Sequence, residues 1–271
     1  MYVCRIDELY YQMSTQLFYQ IVYGPVNSRR LGVSLGVNIS PTDGKRCSFN
    51  CIYCECGLNE ERPAKKNAPL REEIQYALET KLLQMNTEGI HPDVITFSGN
   101  GEPTLHPDFA GIIDDTLKLR NQQCPLARVA VLSNSTMLHK DDVFQALCKV
   151  DDNIMKLDSV SDMRIKQIDD PENKHFSSVA LVRQLCRFNG CLIIQTMFLR
   201  GVRDGVVIDN TGKDDITAWI DALKKINPRK VMIYTISRET PVKLLQKISR
   251  IELETIAERV RNEGFEVSVS G

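Results

Sequence analysis

Short apolar runs that suit β-strands alternate along this chain with segments whose apolar residues recur at every third or fourth position, a spacing typical of helices. Strands are predicted at 31–39, 94–97, 129–132, 154–157, 191–199, 231–235 and 265–269. Helices are predicted at 70–85, 107–119, 141–150, 178–188, 214–225 and 249–264. In the helix at 178–188, Val179, Val182 and Cys186 are expected to be buried. The pattern indicates an α/β fold in a single domain.

Strands that alternate with helices at this spacing favour right-handed crossovers and a parallel sheet. Six such units are too few for an eight-fold barrel, so an open partial barrel or a doubly wound sheet is expected. In both architectures the functional site lies at the carboxyl edge of the strands. Polar or glycine-rich segments follow the strands at that edge: the loop after residue 39 and segments 98–104, 133–136, 158–159 and 235–238.

The charge balance narrows the classes of function. The chain has 34 Lys and Arg residues against 35 Asp and Glu residues, a formal net charge of -1 among 271 residues. Because nonspecific phosphate binding needs a cationic excess, a protein that coats nucleic acid is excluded. No apolar stretch approaches the roughly 20 residues that cross a bilayer, so no membrane partner is expected. Arg5, Asp7 and Glu8 interrupt any signal-peptide apolar region, and the expected location is the cytoplasm.

Four of the nine cysteines fall within ten residues, at Cys47, Cys51, Cys54 and Cys56. In a reducing compartment such a cluster indicates a metal or catalytic site and not a disulfide framework. The first three form a C-x3-C-x2-C pattern, whose thiolates can hold three irons of a cubane and leave the fourth iron open. The alternative is a structural zinc ion with Cys56 as the fourth ligand. Spacing alone leaves both interpretations open.

The cysteine pattern, with Tyr53 as the aromatic residue before its last cysteine, resembles the signature of the radical S-adenosylmethionine (SAM) superfamily. The turn Gly-Asn-Gly-Glu-Pro-Thr at 99–104 is similar to the glycine-rich turn of that superfamily. The segments at 23–32 and 105–107 resemble the branch of iron–sulfur oxidoreductases that includes the wybutosine-type tRNA-modifying enzymes and uncharacterised bacterial relatives. The resemblance implies one radical SAM domain over residues 1–271, with roughly the first 22 residues as an N-terminal extension.

The resemblance also implies a partial (β/α)6 TIM-like barrel with parallel strands that holds a [4Fe–4S] cluster and SAM. Cys47, Cys51 and Cys54 would ligate the iron. The reduced cluster would split SAM into methionine and a 5′-deoxyadenosyl radical, which abstracts hydrogen from a substrate. A one-electron donor such as flavodoxin or ferredoxin would be a partner. The family positions for SAM binding are occupied here by Tyr53, Ser98, Gly99, Asn100, Gly101, Glu102, Ser133, Asn134, Lys156, Asp158 and Gln195.

The family also implies what most of these positions do. Tyr53 would lie against the adenine, and the backbone carbonyls of residues 99–102 would face the methionyl ammonium, which glycine permits because the backbone can approach closely. Lys156 and Asp158 would share one face of a strand, because they are two residues apart, and would meet the SAM carboxylate and ribose.

More than one role is open for the remaining residues. Ser133 and Asn134 would contact the ribose, or would cap the next helix instead. Gln195 would face the interior if its strand neighbours do, toward SAM or substrate. Cys56 or Cys191 would return a hydrogen atom to the substrate radical.

The substrate stays open among small molecules, RNA and peptides. Wybutosine enzymes use a second cluster from upstream cysteines, whereas only Cys4 precedes Cys47 here, so a substrate other than pyruvate and tRNA is expected. A macromolecule would dock at basic pairs, namely Arg29-Arg30, Lys65-Lys66, Lys224-Lys225 and Arg229-Lys230. The alternatives are a tRNA-modifying enzyme, an activase of a glycyl-radical enzyme, and a noncatalytic zinc- or iron–sulfur-binding scaffold or sensor.

Overall fold

The computed structural model describes residues 16–28 and 31–271, so Cys4, Arg5, Asp7, Glu8 and the Arg29-Arg30 pair lie outside the described residues. The described strands are β1 Val22–Ser28, β2 Gly32–Val37, β3 Val94–Phe97, β4 Arg128–Ser133, β5 Asp152–Lys156, β6 Ile193–Arg203, β7 Val206–Asp209, β8 Lys230–Thr235, β9 Leu245–Lys247 and β10 Val267–Ser270. The α-helices are α1 Arg71–Thr87, α2 Phe109–Gln123, α3 Asp141–Lys149, α4 Asp162–Ile168, α5 Ser178–Cys186, α6 Lys213–Ile226 and α7 Arg250–Asn262.

Six parallel strands form a curled sheet in the order β2-β3-β4-β5-β6-β8. They are the first six strands predicted from the apolar runs, and they confirm the partial barrel. The predicted last strand, β10, adds in parallel to β8, and β1 lies antiparallel on β2 at the other edge. β7 and β9 pair antiparallel with the far half of β6, which continues past its predicted end to Arg203.

Side chains along the parallel strands alternate between the surrounding helices and the barrel interior, as the strand period requires. The outward residues pack with the helices in the largest apolar cluster; they include Leu35, Ile95, Val131, Met155, Ile194 and Ile233. A separate inward cluster fills the base of the barrel with Leu31, Val94, Ala130, Ile154, Ile193 and Met232. Two residues further along the same faces lie Lys156 on β5 and Gln195 on β6, which pair in register. Lys156 and Gln195 therefore lie toward the mouth of the barrel, above the apolar base.

The apolar pattern does not predict β1, β7, β9 or α4. Each is short or lacks a continuous periodic stripe, so local composition gives little signal. Helix α4 spans only seven residues, begins with a Ser161 side chain that accepts a hydrogen bond from the Arg164 N–H, and buries Ile165 and Ile168. Nowhere in the described chain is there a helix long and apolar enough to span a membrane.

The burial predicted for helix α5 is wrong for Val179, whereas Val182 and Cys186 are partly buried and pack against the core. Val179 is 70% exposed, whereas Leu181 and Leu185 are buried together with Ser178. Two hydrogen bonds orient the start of the helix: the Ser178 N–H donates to Asp162 Oδ1 at 2.6 Å, and the Ser178 hydroxyl donates to the Val160 carbonyl at 2.8 Å. These contacts turn the neighbouring stripe toward the sheet.

Candidate functional site

The loop that carries the cysteine motif leaves the carboxyl end of β2 and is fastened by residues 168–172, the segment that ends α4. The Ile52 N–H donates to the Ile168 carbonyl at 2.9 Å, and the Asn50 N–H donates to the Asp169 carbonyl at 2.8 Å. The Glu172 N–H donates back to the Ser48 carbonyl at 3.0 Å. These strand-like contacts hold the loop against the barrel.

Asn59 braces the same loop from its other end. Its Nδ2 donates to the carbonyls of Cys47 and Phe49 at 3.1 and 3.3 Å. Its backbone N–H donates to Asn50 Oδ1 at 2.8 Å. The loop backbone around the motif is therefore hydrogen-bonded from two independent directions.

The three motif cysteines are neighbours, Cys51 buried and Cys47 and Cys54 partly exposed, and their thiols interact electrostatically with one another. Burial raises the pKa of Cys47 to about 12 and that of Cys51 well above its ordinary value. A hydrogen bond from Cys56 lowers the pKa of Cys54 to about 5. In the described chain no three His, Cys, Asp or Glu side chains converge on a point for a single ion. A cubane needs no such point, because each thiolate binds its own iron.

A buried charged group lies beside the thiols at the carboxyl end of β5. Lys156 Nζ lies 3.0 Å from Asp158 Oδ2 and 3.6 Å from Asp169 Oδ1, and it also contacts the Tyr53 hydroxyl. Tyr53 donates to Asp158, and the Lys156 ammonium sits 4.6 Å from the centre of the Tyr53 ring. Burial opposes the charge of Lys156, but Asp158, Cys51 and further anionic groups raise its pKa well above the ordinary value. The expectation that Lys156 and Asp158 share a face is met.

Asp169 is a member of this group that the sequence does not single out. It is 1% exposed, and the Cys51 thiol donates to its Oδ1 at 3.2 Å. Burial and the nearby Asp158 raise its pKa to about 8. Asp169 thus links a motif cysteine to the Lys156–Asp158 pair, across 118 positions of sequence.

The glycine turn after β3 is interlaced with the cysteine loop. The Arg46 N–H donates to the Asn100 carbonyl at 2.9 Å, and the Glu102 N–H donates to the Arg46 carbonyl at 3.1 Å. A Cβ on Gly101, whose φ is +145°, would lie 1.7 Å from the Arg46 carbonyl oxygen. A Cβ on Gly99 would lie 2.3 Å from Asn38 Oδ1. Both glycines are needed because other backbone or side-chain atoms occupy the space of a side chain.

Asn100 holds this turn to the segment before β1. Its side chain is fully buried; Oδ1 accepts from the Phe18 N–H at 2.8 Å, and Nδ2 donates to the carbonyls of Phe18 and Pro41 at 2.8 and 2.9 Å. The neighbouring Ser98 hydroxyl is 2.8 Å from the Tyr23 hydroxyl. The Asn100 amide is thus committed to folding contacts, a role that its place in the predicted SAM-binding turn does not indicate.

Glu102 joins the turn after β3 to the turn after β4. Its buried carboxylate accepts from the Thr104 N–H and hydroxyl at 3.1 and 2.5 Å, from the Ser133 hydroxyl at 2.8 Å and from the Asn134 N–H at 2.6 Å. Burial raises the pKa of Glu102, and these hydrogen bonds oppose the rise. Two of the predicted ribose-binding residues are therefore held by Glu102.

Asn134 also reaches the cysteine loop. Its Nδ2 donates to Ser48 Oγ at 2.9 Å and lies 3.7 Å from Cys47 Sγ, while its Oδ1 accepts from the Thr136 N–H at 3.1 Å. The turn after β4 thus contacts both the glycine turn and the cysteine motif. Gln195 lies on the neighbouring strand β6, where it pairs in register with Lys156 and is 5% exposed.

A pocket of about 470 Å³, part of it open to solvent, lies at the barrel mouth. It is lined by Tyr53, Glu55, Met197, Tyr234, Thr235, Ile236, Ser237, Arg238, Thr240 and Ser270. An ion pair between Arg238 and Glu55 joins the loop after β8 to the cysteine loop across this pocket. The pocket brings the predicted adenine-contacting residue Tyr53 together with β6 and β8.

The two proposed hydrogen donors differ in position. Cys56 is buried next to the motif, and its thiol lies 3.4 Å from the Gly99 carbonyl oxygen. Cys191 is exposed and precedes β6, at the edge of the barrel opposite the motif. Its position is incompatible with a direct role at the barrel mouth, because it precedes the amino end of a parallel strand whose carboxyl end forms the mouth.

The basic pairs named as docking sites also differ. Lys224 pairs with Glu263 at 2.9 Å, Lys230 pairs with Glu266 at 2.7 Å, and Arg229 pairs with the buried Asp152 at 2.6 Å. Lys65 and Lys66 are exposed in the loop that precedes α1. Three of these cations thus already have carboxylate partners within the fold.

Residues 42–209 match the family model of the radical SAM superfamily. The match covers more than half of the chain, so this protein belongs to the radical SAM superfamily, as the cysteine motif and the glycine turn predicted. It is an enzyme of the radical SAM type, and its cofactors are those of the superfamily, a [4Fe–4S] cluster and SAM.

Particular relatives place it more closely. The chain is 31% identical over 235 residues to a UPF0026 protein of Helicobacter pylori strain J99, covering 86% of this chain and 71% of that protein. Its fold is similar to that of Streptococcus suis SuiB bound to S-adenosylmethionine, with a TM-score of 0.62 and 14% identity, over 87% of this chain and 50% of that one. It is also similar to TYW1 with a lysine-pyruvate adduct bound, with a TM-score of 0.59 and 16% identity, over 84% of this chain and 73% of that one.

Proposed function

We propose that Cys47, Cys51 and Cys54 are the three thiolate ligands of the [4Fe–4S] cluster with which this enzyme cleaves SAM. The donor set fits the cluster, because three neighbouring thiols on one braced loop offer one sulfur to each of three irons. When bound, the reduced cluster supplies the electron that splits SAM into methionine and a 5′-deoxyadenosyl radical, which abstracts hydrogen from the substrate.

The single observation that carries the proposal is the buried Lys156–Asp158–Tyr53 group beside the motif thiols. Asp158 and Asp169 pair with the Lys156 ammonium, which keeps a charged group at the barrel mouth despite its burial. SAM offers a carboxylate for the Lys156 ammonium and ribose hydroxyls for the Asp158 carboxylate. In this proposal Tyr53 contributes an aromatic wall to the adenine side of the pocket.

The other predicted SAM-binding residues are proposed to have the roles that the resemblance implies, except for Asn100. The carbonyls of Ser98, Gly99, Gly101 and Glu102 are proposed to face the methionyl ammonium. Ser133, Asn134 and Gln195 are proposed to line the ribose and substrate side. Asn100 is proposed to act only through the shape of the turn, because its side chain is used by Phe18 and Pro41 and its carbonyl accepts from Arg46. Cys56 remains the proposed hydrogen donor.

A one-electron donor such as flavodoxin or ferredoxin is the proposed partner, and the substrate class stays open among small molecules, RNA and peptides. The chain spans 50% of SuiB, so the activity of that protein is not carried over.

The test is an anaerobic reconstitution with iron and sulfide, followed by SAM and dithionite, with 5′-deoxyadenosine as the measured product. Wild type is expected to release 5′-deoxyadenosine, and Cys51→Ala is expected to lose both iron and release. Cys124→Ala is the matched control, because Cys124 is also buried but lies outside the motif. Zinc near one per chain without SAM binding would instead identify a noncatalytic scaffold.

A further inference from the structure

Lys45 is a lysine that the fold buries two positions before the first motif cysteine. Its exposed fraction is 4%, although lysine is almost never fully buried unless it is paired. The backbone places it there: the Lys45 N–H donates to the Arg62 carbonyl at 2.7 Å, and Lys45 forms an isolated parallel bridge with Pro63. The side chain therefore points into the cysteine loop because the loop that precedes α1 covers its other side.

The contacts of the Lys45 ammonium are few. Nζ donates to the Gly57 carbonyl at 2.7 Å and hydrogen bonds the Cys54 thiol. Its charge also interacts with Cys47 and Cys51. Among the described residues, no carboxylate is within ion-pair distance of Lys45, in contrast to Lys156. An unpaired buried charge is costly, so the negative charge that balances Lys45 must come from the sulfur ligands.

We propose that Lys45 is a positioning residue whose fixed positive charge raises the reduction potential of the cluster held by Cys47, Cys51 and Cys54. This inference rests on the proposed function, since it requires the cluster on those thiolates. One-electron reduction adds a negative charge to the cluster while the donor is oxidised. A cation in the protein interior stabilises that added charge more strongly than it would in water. Net charge and hydrogen bonds to the sulfurs are known determinants of cluster potentials.

A purely structural role is the competing explanation, because the Gly57 hydrogen bond ties the start of the loop to its end. Lys45→Gln separates the two roles, since the amide keeps a hydrogen-bond donor but removes the charge. Lys45→Arg keeps the charge. Lys65→Gln removes an exposed lysine from the adjoining segment and controls for a general change in net charge.

The experiment is a redox titration of each anaerobically reconstituted protein, followed by the electron paramagnetic resonance signal of the reduced cluster. Iron and sulfide per chain are measured on the same samples. At the wild-type midpoint, Lys45→Gln is expected to show a reduced-to-oxidised ratio about tenfold lower, a midpoint about 59 mV more negative for one electron. Lys45→Arg and Lys65→Gln are expected to stay within about twofold of the wild-type ratio, about 18 mV on the same scale.

A full cluster in Lys45→Gln with the wild-type midpoint, or an equal shift in Lys65→Gln, would overturn the inference. If Lys45→Gln holds no cluster, Lys45 is needed to fold the loop or to assemble the cluster, and a role limited to the reduction potential is overturned. Wild-type protein that binds no cluster would refute the proposed function itself, which is a separate outcome.

Discussion

The substitution Asn100→Ala tests whether the turn after β3 depends on the folding contacts of its asparagine. The Asn100 side chain makes three hydrogen bonds, to the N–H and carbonyl of Phe18 and to the carbonyl of Pro41, at 2.8 to 2.9 Å. After truncation the Phe18 carbonyl keeps the Asn38 Nδ2 donor at 3.2 Å. The Phe18 N–H and the Pro41 carbonyl lose their partners.

The expected loss follows from those two groups. A buried polar group left without a partner costs about 1–3 kcal/mol. Phe18 is only partly buried, so water can replace some of its loss, and we expect a fall of about 3 kcal/mol in the free energy of unfolding. In a domain of this size 1 kcal/mol shifts Tm by about 2–4 °C, so the expected decrease is about 6–12 °C.

The assay is thermal unfolding of cluster-free protein under reducing conditions, followed by circular dichroism. Asn121→Ala is the matched control, because Asn121 is exposed on α2 and accepts a hydrogen bond only from the neighbouring Arg120 at 2.8 Å. A surface change of this kind is expected to stay within about 0.5 kcal/mol of wild type. The reasoning is refuted if Asn100→Ala melts within about 2 °C of Asn121→Ala.

Three further outcomes test other parts of the site. Burial raises the pKa of Glu102 above 4.5, so the folded state holds its proton more tightly, and stability should fall as pH rises from 4.5 through the folded pKa. Glu102→Gln removes this drop; urea unfolding curves that run parallel to wild type across that pH range would contradict it. Asn59→Ala frees the cysteine loop and should lose iron to a chelator several-fold faster than the Asn121→Ala control, whereas equal rates would show that the brace is dispensable. Asp158→Asn should weaken SAM binding to cluster-loaded protein about tenfold, or about 1.4 kcal/mol, by removing the carboxylate beside Lys156; an unchanged Kd would remove Asp158 from the site.

The cysteine loop contacts three other segments at the mouth of the barrel. Residues 168–172 brace it from the α4 side, the glycine turn interlaces with Arg46, and Asn134 reaches Cys47 and Ser48. These contacts come from separate parts of the chain. Loss of any one of them is therefore expected to change the positions of the motif thiols. A site of this kind needs a rigid outer layer, because its ligands must be held in place before the cofactor arrives.

Local patterns in the sequence were sufficient to predict the strands of the barrel, one pair of site residues and the superfamily. The apolar runs predict the six parallel strands of the barrel because a buried parallel strand must be apolar along its length. The two-residue period places Lys156 and Asp158 on one face, and the structure brings them within 3.0 Å. The cysteine spacing points to the superfamily because three thiolates at that spacing can bind three irons of one cluster. Each of these inferences depends on residues that are close along the chain.

The tertiary structure alone decided what depends on distant partners. Nothing near Asp169 in sequence reveals that it contacts Cys51, 118 positions away. Nothing near Lys45 in sequence reveals that it is buried by its contacts with Pro63 and Gly57. In helix α5 Val179 faces solvent, against expectation, where Ser178 is hydrogen-bonded to Asp162 and Val160. Hydrogen-bond partners and burial depend on which segments are close in space. The periodicity of residues along the chain does not determine which distant segments come into contact.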